Sequence, residues 1–188
     1  MHAHPVPDSY SAALRDRAAA ALRERGDDVD VLDLYRDGFD PYLGADEWSP
    51  DTPGGEDLPE LRPYIARLRR ADHLVFVYPT WFGGPPAMFK GWLDRVWVAG
   101  VAFDKVPGSN RPRARLHHIR SITVVTTYGS SRRVNLLEGE PGKLLVRRWL
   151  RVLCRPLARA TWLALYGMDN ATDVERAAFL DRVGRALS

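Results

Sequence analysis

The chain has 188 residues, 45% of them hydrophobic and 27% charged, ordinary values for a globular protein and enough length to bury one core. Its net charge of +3 comes from 27 basic residues interspersed with 24 acidic ones. With no nucleic-acid motif and no apolar run near the roughly 20 residues of a membrane helix, this argues against a nucleic-acid partner and against stable membrane insertion. A single cysteine, Cys154, excludes an internal disulfide framework; with no signal peptide after Met1, a cytoplasmic location is expected.

Residues 9–25 place Tyr10, Ala13, Leu14, Ala21 and Leu22 at helical spacing, with Ser9 or Asp8 as cap and Gly26 as stop. Asp28 to Leu34 alternates polar and apolar residues, which predicts a short strand. Residues 36–60 carry Pro41, Pro50, Pro53, Gly54, Gly55 and Pro59 and read as a long loop of the kind that often covers a site. A helix is expected over Leu61–Arg70. His73–Tyr78 (HLVFVY) is then an unbroken apolar run, the mark of a strand buried on both faces. After Pro79–Pro86 a helix runs over Ala87–Val98, and a second buried strand, Ser121–Thr126, leads into Thr127–Ser131. Gly142–Leu157 is amphipathic and rich in arginine, and reads as a helix ending before Pro156. Ala160–Tyr166 predicts a last short strand. Thr172 and Glu175 form a capping box for a helix ending at Leu187.

Strands alternate with helices, which predicts a three-layer α/β domain over residues 1–188 with a mostly parallel sheet. In such sheets ligands sit beyond the C-terminal strand ends. The site should therefore form from the loops before Ser9, after Tyr78 and after Thr126. One element is missing: the helix at Ser9 should follow a buried strand, yet only eight residues precede it, with two histidines and two prolines among them. The first strand is expected to be truncated, either because the start has been placed late or because the domain lacks its central strand.

In the first loop, His4 with Ser9 and Ser11 at a helix N-terminus suits a phosphate, although plain capping also explains a serine there. In the second, Trp81 and Phe82 stand where a buried strand meets solvent. They either wall a flat ring, with backbone approach at Gly83 and Gly84, or pack under the next helix. The third, Thr126-Thr127-Tyr128-Gly129-Ser130, offers hydroxyls and N–H groups able to hold a polar ring edge, or is a simple turn. His2 and His4 lack a third metal ligand, and His117-His118 reads as a solvated pair. Cys154 reads as a small structural residue, since no base or partner makes it a nucleophile. Arg132-Arg133 is either a nucleotide-phosphate contact or a surface pair.

Taken together, the chain resembles the NAD(P)H:quinone oxidoreductase family of the flavodoxin-like fold, which includes the modulator-of-drug-activity proteins and the potassium-efflux ancillary oxidoreductases. The matching stretches are His4-Pro5 with Asp8–Leu14, Val31–Tyr35, Ala71-Asp72-His73, Tyr78–Trp92 followed by Asp94-Arg95-Val96, and Thr126–Gly129. The resemblance implies FAD or FMN, a homodimer with the flavin near its interface, and ping-pong hydride transfer from NAD(P)H to a quinone-like acceptor. It also implies that His4, Ser9, Tyr10 and Ser11 contact the flavin phosphate region and that Pro79, Thr80, Trp81 and Phe82 hold the ring. Thr126, Thr127 and Gly129 would lie at its pyrimidine edge. The mammalian members carry a Tyr and a His after the third loop; Arg132–Glu140 supplies neither, which points to Tyr128 or an arginine as stabiliser of the reduced ring. The alternative within the same resemblance is a flavin- and nucleotide-binding regulatory subunit of a potassium efflux antiporter.

Overall fold

In the computed structural model, which describes residues 1–47 and 58–188, the two apolar runs lie side by side in the sheet. Strand β1 (His73–Pro79) pairs in parallel with β4 (Ser121–Tyr128), and β4 with β5 (Arg159–Tyr166). Register places Val77 opposite Val125 and Val125 opposite Leu163. Successive side chains of a strand face opposite layers. Val77 and Val125 accordingly meet α1 (Tyr10–Glu24) and α6 (Asp173–Leu187) through Leu14, Ala18, Phe179 and Val183. Phe76 and Val124 face the other way into the larger core, with α2 (Arg62–Arg70) and α3 (Ala87–Val96). There the Phe76 ring meets Phe89 edge-on at 5.0 Å. The three-layer α/β architecture expected from the alternation is the one observed.

The loop that follows residue 36 is held by a buried cation. Arg95 of α3 sends two nitrogens to the Glu47 carboxylate, each at 2.9 Å, and a third to the Asp40 carbonyl at 2.6 Å. Gly91 allows the same loop to close down: a Cβ there would lie 2.3 Å from the Pro41 carbonyl oxygen. The expected loop residues Pro50, Pro53, Gly54 and Gly55 lie outside the described residues.

The first strand is truncated as expected, and the structure departs from the sequence reading at four points. First, the few N-terminal residues still enter the sheet: His2 bridges both Asp33 and Val77 in parallel, and Ala3 donates to the Val77 carbonyl at 3.1 Å. Two of the disqualifying residues, Pro5 and Pro7, fall beyond this three-residue stub. The sheet is open alongside it, where a cavity of about 430 Å³ separates residues 28–32 from 73–77. Second, Asp28–Leu34 forms no continuous strand, because its neighbour in the sheet is only those three residues. Third, the segment expected as one helix over 142–157 is a short helix α5 (Pro141–Leu144), a π-helical turn (Leu145–Leu150) and a 3-10 turn (Arg151–Leu153). Its buried residues Gly142, Val146, Leu150 and Cys154 recur every fourth position. A 3.6-residue helix would rotate them off the core, and the wider π turn keeps them in line. Fourth, helix α4 (Arg132–Leu137) and the ribbon of β2 (Phe103–Asp104) with β3 (Arg113–Ala114) carry too little apolar periodicity to be anticipated.

Candidate functional site

All three loops meet at the C-terminal ends of β1 and β4, around a cavity of about 540 Å³. This is within the range of small-ligand sites. His4, Ser9, Tyr10, Ser11, Pro79, Thr80, Trp81, Phe82, Thr127, Tyr128 and Gly129 all line it. Thr126 does not. It is fully buried behind the wall, where its hydroxyl oxygen lies 2.9 Å from that of Thr80 and ties the second loop to the third. The Thr80 N–H donates to the Thr127 carbonyl at 2.8 Å, which extends the β1–β4 pairing into the rim.

The first loop delivers a helix start. Ser9 caps α1, its hydroxyl accepting the Ala12 N–H at 3.2 Å. The N–H groups of Tyr10 and Ser11, first in the helix, have no carbonyl one turn back and carry the positive end of the dipole. Ser11 is the informative residue: its Oγ is buried and has no hydrogen-bond partner, although buried hydroxyls are normally paired. His4 accepts the Val6 N–H at Nδ1, 3.0 Å away, which leaves Nε2 as the donor of the neutral ring. Its ring stands 6.0 Å from that of Trp81. Tyr10 lines the cavity as well, but not through its phenol. Its hydroxyl donates to the Arg176 carbonyl at 2.8 Å and fastens α1 to α6 rather than facing the cavity.

The second loop turns on Phe82 and Gly83, with φ of 48° and 73°. Trp81 and Gly84 exchange two backbone bonds across them, 2.9 and 3.0 Å long, so the turn has the left-handed form usual in tight hairpins. A phenylalanine at its first corner is strained. Its side chain is fully exposed, and Trp81 is 42% exposed, so the pair stands at the rim and not under α3.

The third loop is held from behind. Asn135 of α4 donates to the carbonyls of Ser130 and Ser131, at 3.2 and 2.8 Å. Gly129 has no room for a side chain, since a Cβ would lie 2.6 Å from Asp169 Oδ2. Tyr128 lines the cavity with its hydroxyl buried. Its ring stacks on Tyr166 at 4.8 Å and its hydroxyl is enclosed beside Thr80 and Trp162, where burial above all pushes its pKa up to about 12. The Tyr166 hydroxyl donates to Glu140, a buried carboxylate that also holds Lys143 at 2.7 Å. Burial works against the charge of Glu140, but Lys143 and Tyr166 together keep its carboxyl below the usual range.

Asn135, Glu138, Met168 and Asp169 also line the cavity, and the sequence reading did not reach them. Asp169 follows the left-handed Gly167 after β5, and that strand end was the one signal pointing to it. Arg132 and Arg133 lie outside the lining and are exposed. Cys154 is buried, its thiol pushed up to about 12 by burial, in keeping with a structural residue. Among the described residues no group of three or more His, Cys, Asp or Glu side chains could hold a metal.

The family model described as flavodoxin-like fold matches residues 1–178. An uncharacterized NAD(P)H oxidoreductase of Escherichia coli, YcaK, is 38% identical over 103 residues, covering 54% of this chain and 52% of its own. The chain spans about half the length of the curated relatives it matches. Among solved structures, Smu.1420 from Streptococcus mutans superimposes with a TM-score of 0.85 at 26% identity, over 100% of this chain and 98% of that one. An NAD(P)H:quinone oxidoreductase from Methanothermobacter marburgensis does so with a TM-score of 0.78 at 30% identity, over 98% and 92%.

Proposed function

We propose that this chain, which belongs to the flavodoxin-like family, binds a flavin in the cavity between its three loops and passes hydride equivalents from NAD(P)H to a quinone-like acceptor. The observation that carries the reading is the unpartnered, buried hydroxyl of Ser11, a residue at the start of α1 that lines a cavity of about 540 Å³. A hydroxyl in that position is explained by an acceptor that belongs there, and a phosphate at a helix N-terminus is such an acceptor. The resemblance to the solved NAD(P)H:quinone oxidoreductase supports the same chemistry.

A bound flavin supplies the two-electron chemistry, with NAD(P)H and the acceptor using it in turn; the protein supplies placement and field. On this reading the Tyr10 and Ser11 N–H groups, the Ser11 hydroxyl and His4 Nε2 hold the phosphate of FMN, or the nearer phosphate of FAD. Trp81 and the strained Phe82 turn wall one side of a planar ring. The backbone of Thr127–Gly129, rather than the buried Tyr128 hydroxyl, meets its polar edge, with Asp169 as a carboxylate acceptor for a ring N–H. A homodimer that closes the cavity mouth belongs to the reading, supported by exposed Phe82 and Leu137 beside it. The test is NAD(P)H oxidation by the flavin-reconstituted protein with and without menadione. The reading expects menadione-dependent turnover that Ser11→Ala and Trp81→Ala both lower; absence of turnover from a flavin-loaded protein would refute the assigned reaction.

A further inference from the structure

Glu140 combines two features that a folded chain ordinarily avoids. It is only 6% exposed, although a carboxylate is costly to bury unless it is paired. Its backbone is also left-handed, with φ of 45° and ψ of 58°, a conformation that glycine adopts freely and that strains other residues. Fold stability does not account for the pair of costs. A buried ion pair gives little net stabilisation over apolar side chains of similar volume, and Lys143, the partner at 2.7 Å, is itself partly open to solvent.

What Glu140 does instead is join the elements that wall the cavity. The Tyr166 hydroxyl, at the end of β5, donates to one of its carboxylate oxygens and Lys143 donates to the other. Tyr166 in turn stacks on Tyr128 of the third loop, the rings 12° from parallel. The Glu140 N–H donates to the Asn135 carbonyl at 3.2 Å, and the Asn135 amide holds the Ser130 and Ser131 carbonyls. Immediately after Glu140, Pro141 and Gly142 meet the second loop. A Cβ on Gly83 would lie 3.5 Å from Pro141 Cγ, and one on Gly142 would lie 3.8 Å from Pro85 Cδ. Gly83, Tyr128, Ser130 and Asn135 line the cavity, whereas Glu140 does not. A single residue behind the wall is thus tied, at one remove, to both the second and the third loop.

We propose that Glu140 is a positioning residue for the flavin site, fixing the third loop against the second through Tyr166, Asn135 and Pro141. This rests on the functional reading above, in which the Thr127–Gly129 backbone meets the polar edge of the ring. N–H groups at that edge stabilise the charge that a reduced ring gathers, and they do so best when their placement is fixed beforehand. Glu140 touches neither ring nor substrate in this scheme; it acts through the loop. Backbone strain and a buried charge, held together beside a cavity, are then the cost of keeping that loop in register.

Three variants test this. Glu140→Ala deletes the carboxylate, Glu140→Gln still offers Tyr166 an acceptor, and Tyr166→Phe deletes the hydroxyl while leaving every charge in place. Thermal melts establish that each is folded. The first readout needs no flavin: exchange of the Thr80 and Gly167 amides, which donate to the Thr127 and Ser130 carbonyls of the third loop. Exchange should quicken about tenfold or more in Glu140→Ala and Tyr166→Phe, the factor set by losing a hydrogen bond to a charged group, and stay near the parent's in Glu140→Gln. In the flavin-loaded chain, Tyr166→Phe should weaken flavin binding about tenfold and lower the midpoint potential of the bound flavin. A hydroxyl of merely structural value would lower the melting temperature and leave the potential where it was. With a parent that binds flavin, the proposal alone is overturned by unchanged exchange in folded Glu140→Ala, by a glutamine that fails to rescue it, or by parent-like affinity and potential in Tyr166→Phe. A parent that binds neither FMN nor FAD overturns the functional reading, and this inference with it.

Discussion

Gly129 and the Asp169 carboxylate are in contact across the cavity wall, so close that a Cβ at position 129 would stand 2.6 Å from Oδ2. Two strand ends far apart in sequence are locked into one surface there. Gly129→Ala should push Asp169 out of place and weaken flavin binding tenfold or more, about 1.4 kcal/mol, with little change in the melting temperature of the flavin-free protein. Fluorescence titration with FMN and FAD reads the first effect and a thermal melt the second.

Ser11 separates a binding role from a structural one. Its hydroxyl is buried and unpaired, and an unmet buried polar group costs about 1–3 kcal/mol. Ser11→Ala should therefore leave the flavin-free protein as stable or more so, while lowering flavin affinity. A structural hydroxyl would give a loss of stability in urea titration instead.

Phe82 carries backbone strain at the rim, with φ of 48°. Phe82→Gly should stabilise the protein by about 1 kcal/mol, the cost of a left-handed non-glycine residue, while reducing turnover with menadione. Equilibrium unfolding and steady-state rates on the same preparation would show the opposed changes expected where strain serves a site.

Acid should weaken the fold through its N-terminal stub. The Met1 ammonium is buried, donates to the Val75 carbonyl at 2.7 Å, and has its pKa lowered by burial from 8.0 to about 5. Because the folded value lies below the unfolded one, the unfolded chain binds more protons between pH 5 and 8, so stability rises with pH across that window. His2, also lowered by burial, adds in the same sense up to its ordinary value of 6.5. The change should amount to a few kcal/mol. Urea unfolding at several pH values checks it, and acetylating the amine of the 188-residue chain should flatten most of the slope.

Much of this was legible in the sequence, for physical reasons that differ by element. The apolar runs at His73 and Ser121 could only be strands buried on both faces, and the loops following them had to share one end of the sheet. Thr172 and Glu175 announced the last helix through a capping box that the structure contains. The single helix expected over 142–157 does not form, because burial there depends on a π turn, which leaves no mark in a periodicity search. Tyr128 was expected, with an arginine as the other choice, to stabilise a reduced ring; its ring direction follows from the Tyr166 stack, a contact 38 residues away in sequence that no local pattern encodes. Asp169 and Asn135 were missed for the same reason: each reaches the site from an element whose placement only the folded sheet decides.

The most direct measurement is equilibrium binding of FMN and FAD to the purified, flavin-free chain, followed by NAD(P)H addition under anaerobic conditions. The account predicts that one of the two flavins binds, one per chain, that NAD(P)H bleaches its visible absorbance, and that Ser11→Ala weakens its binding. A folded protein that binds neither flavin would contradict it.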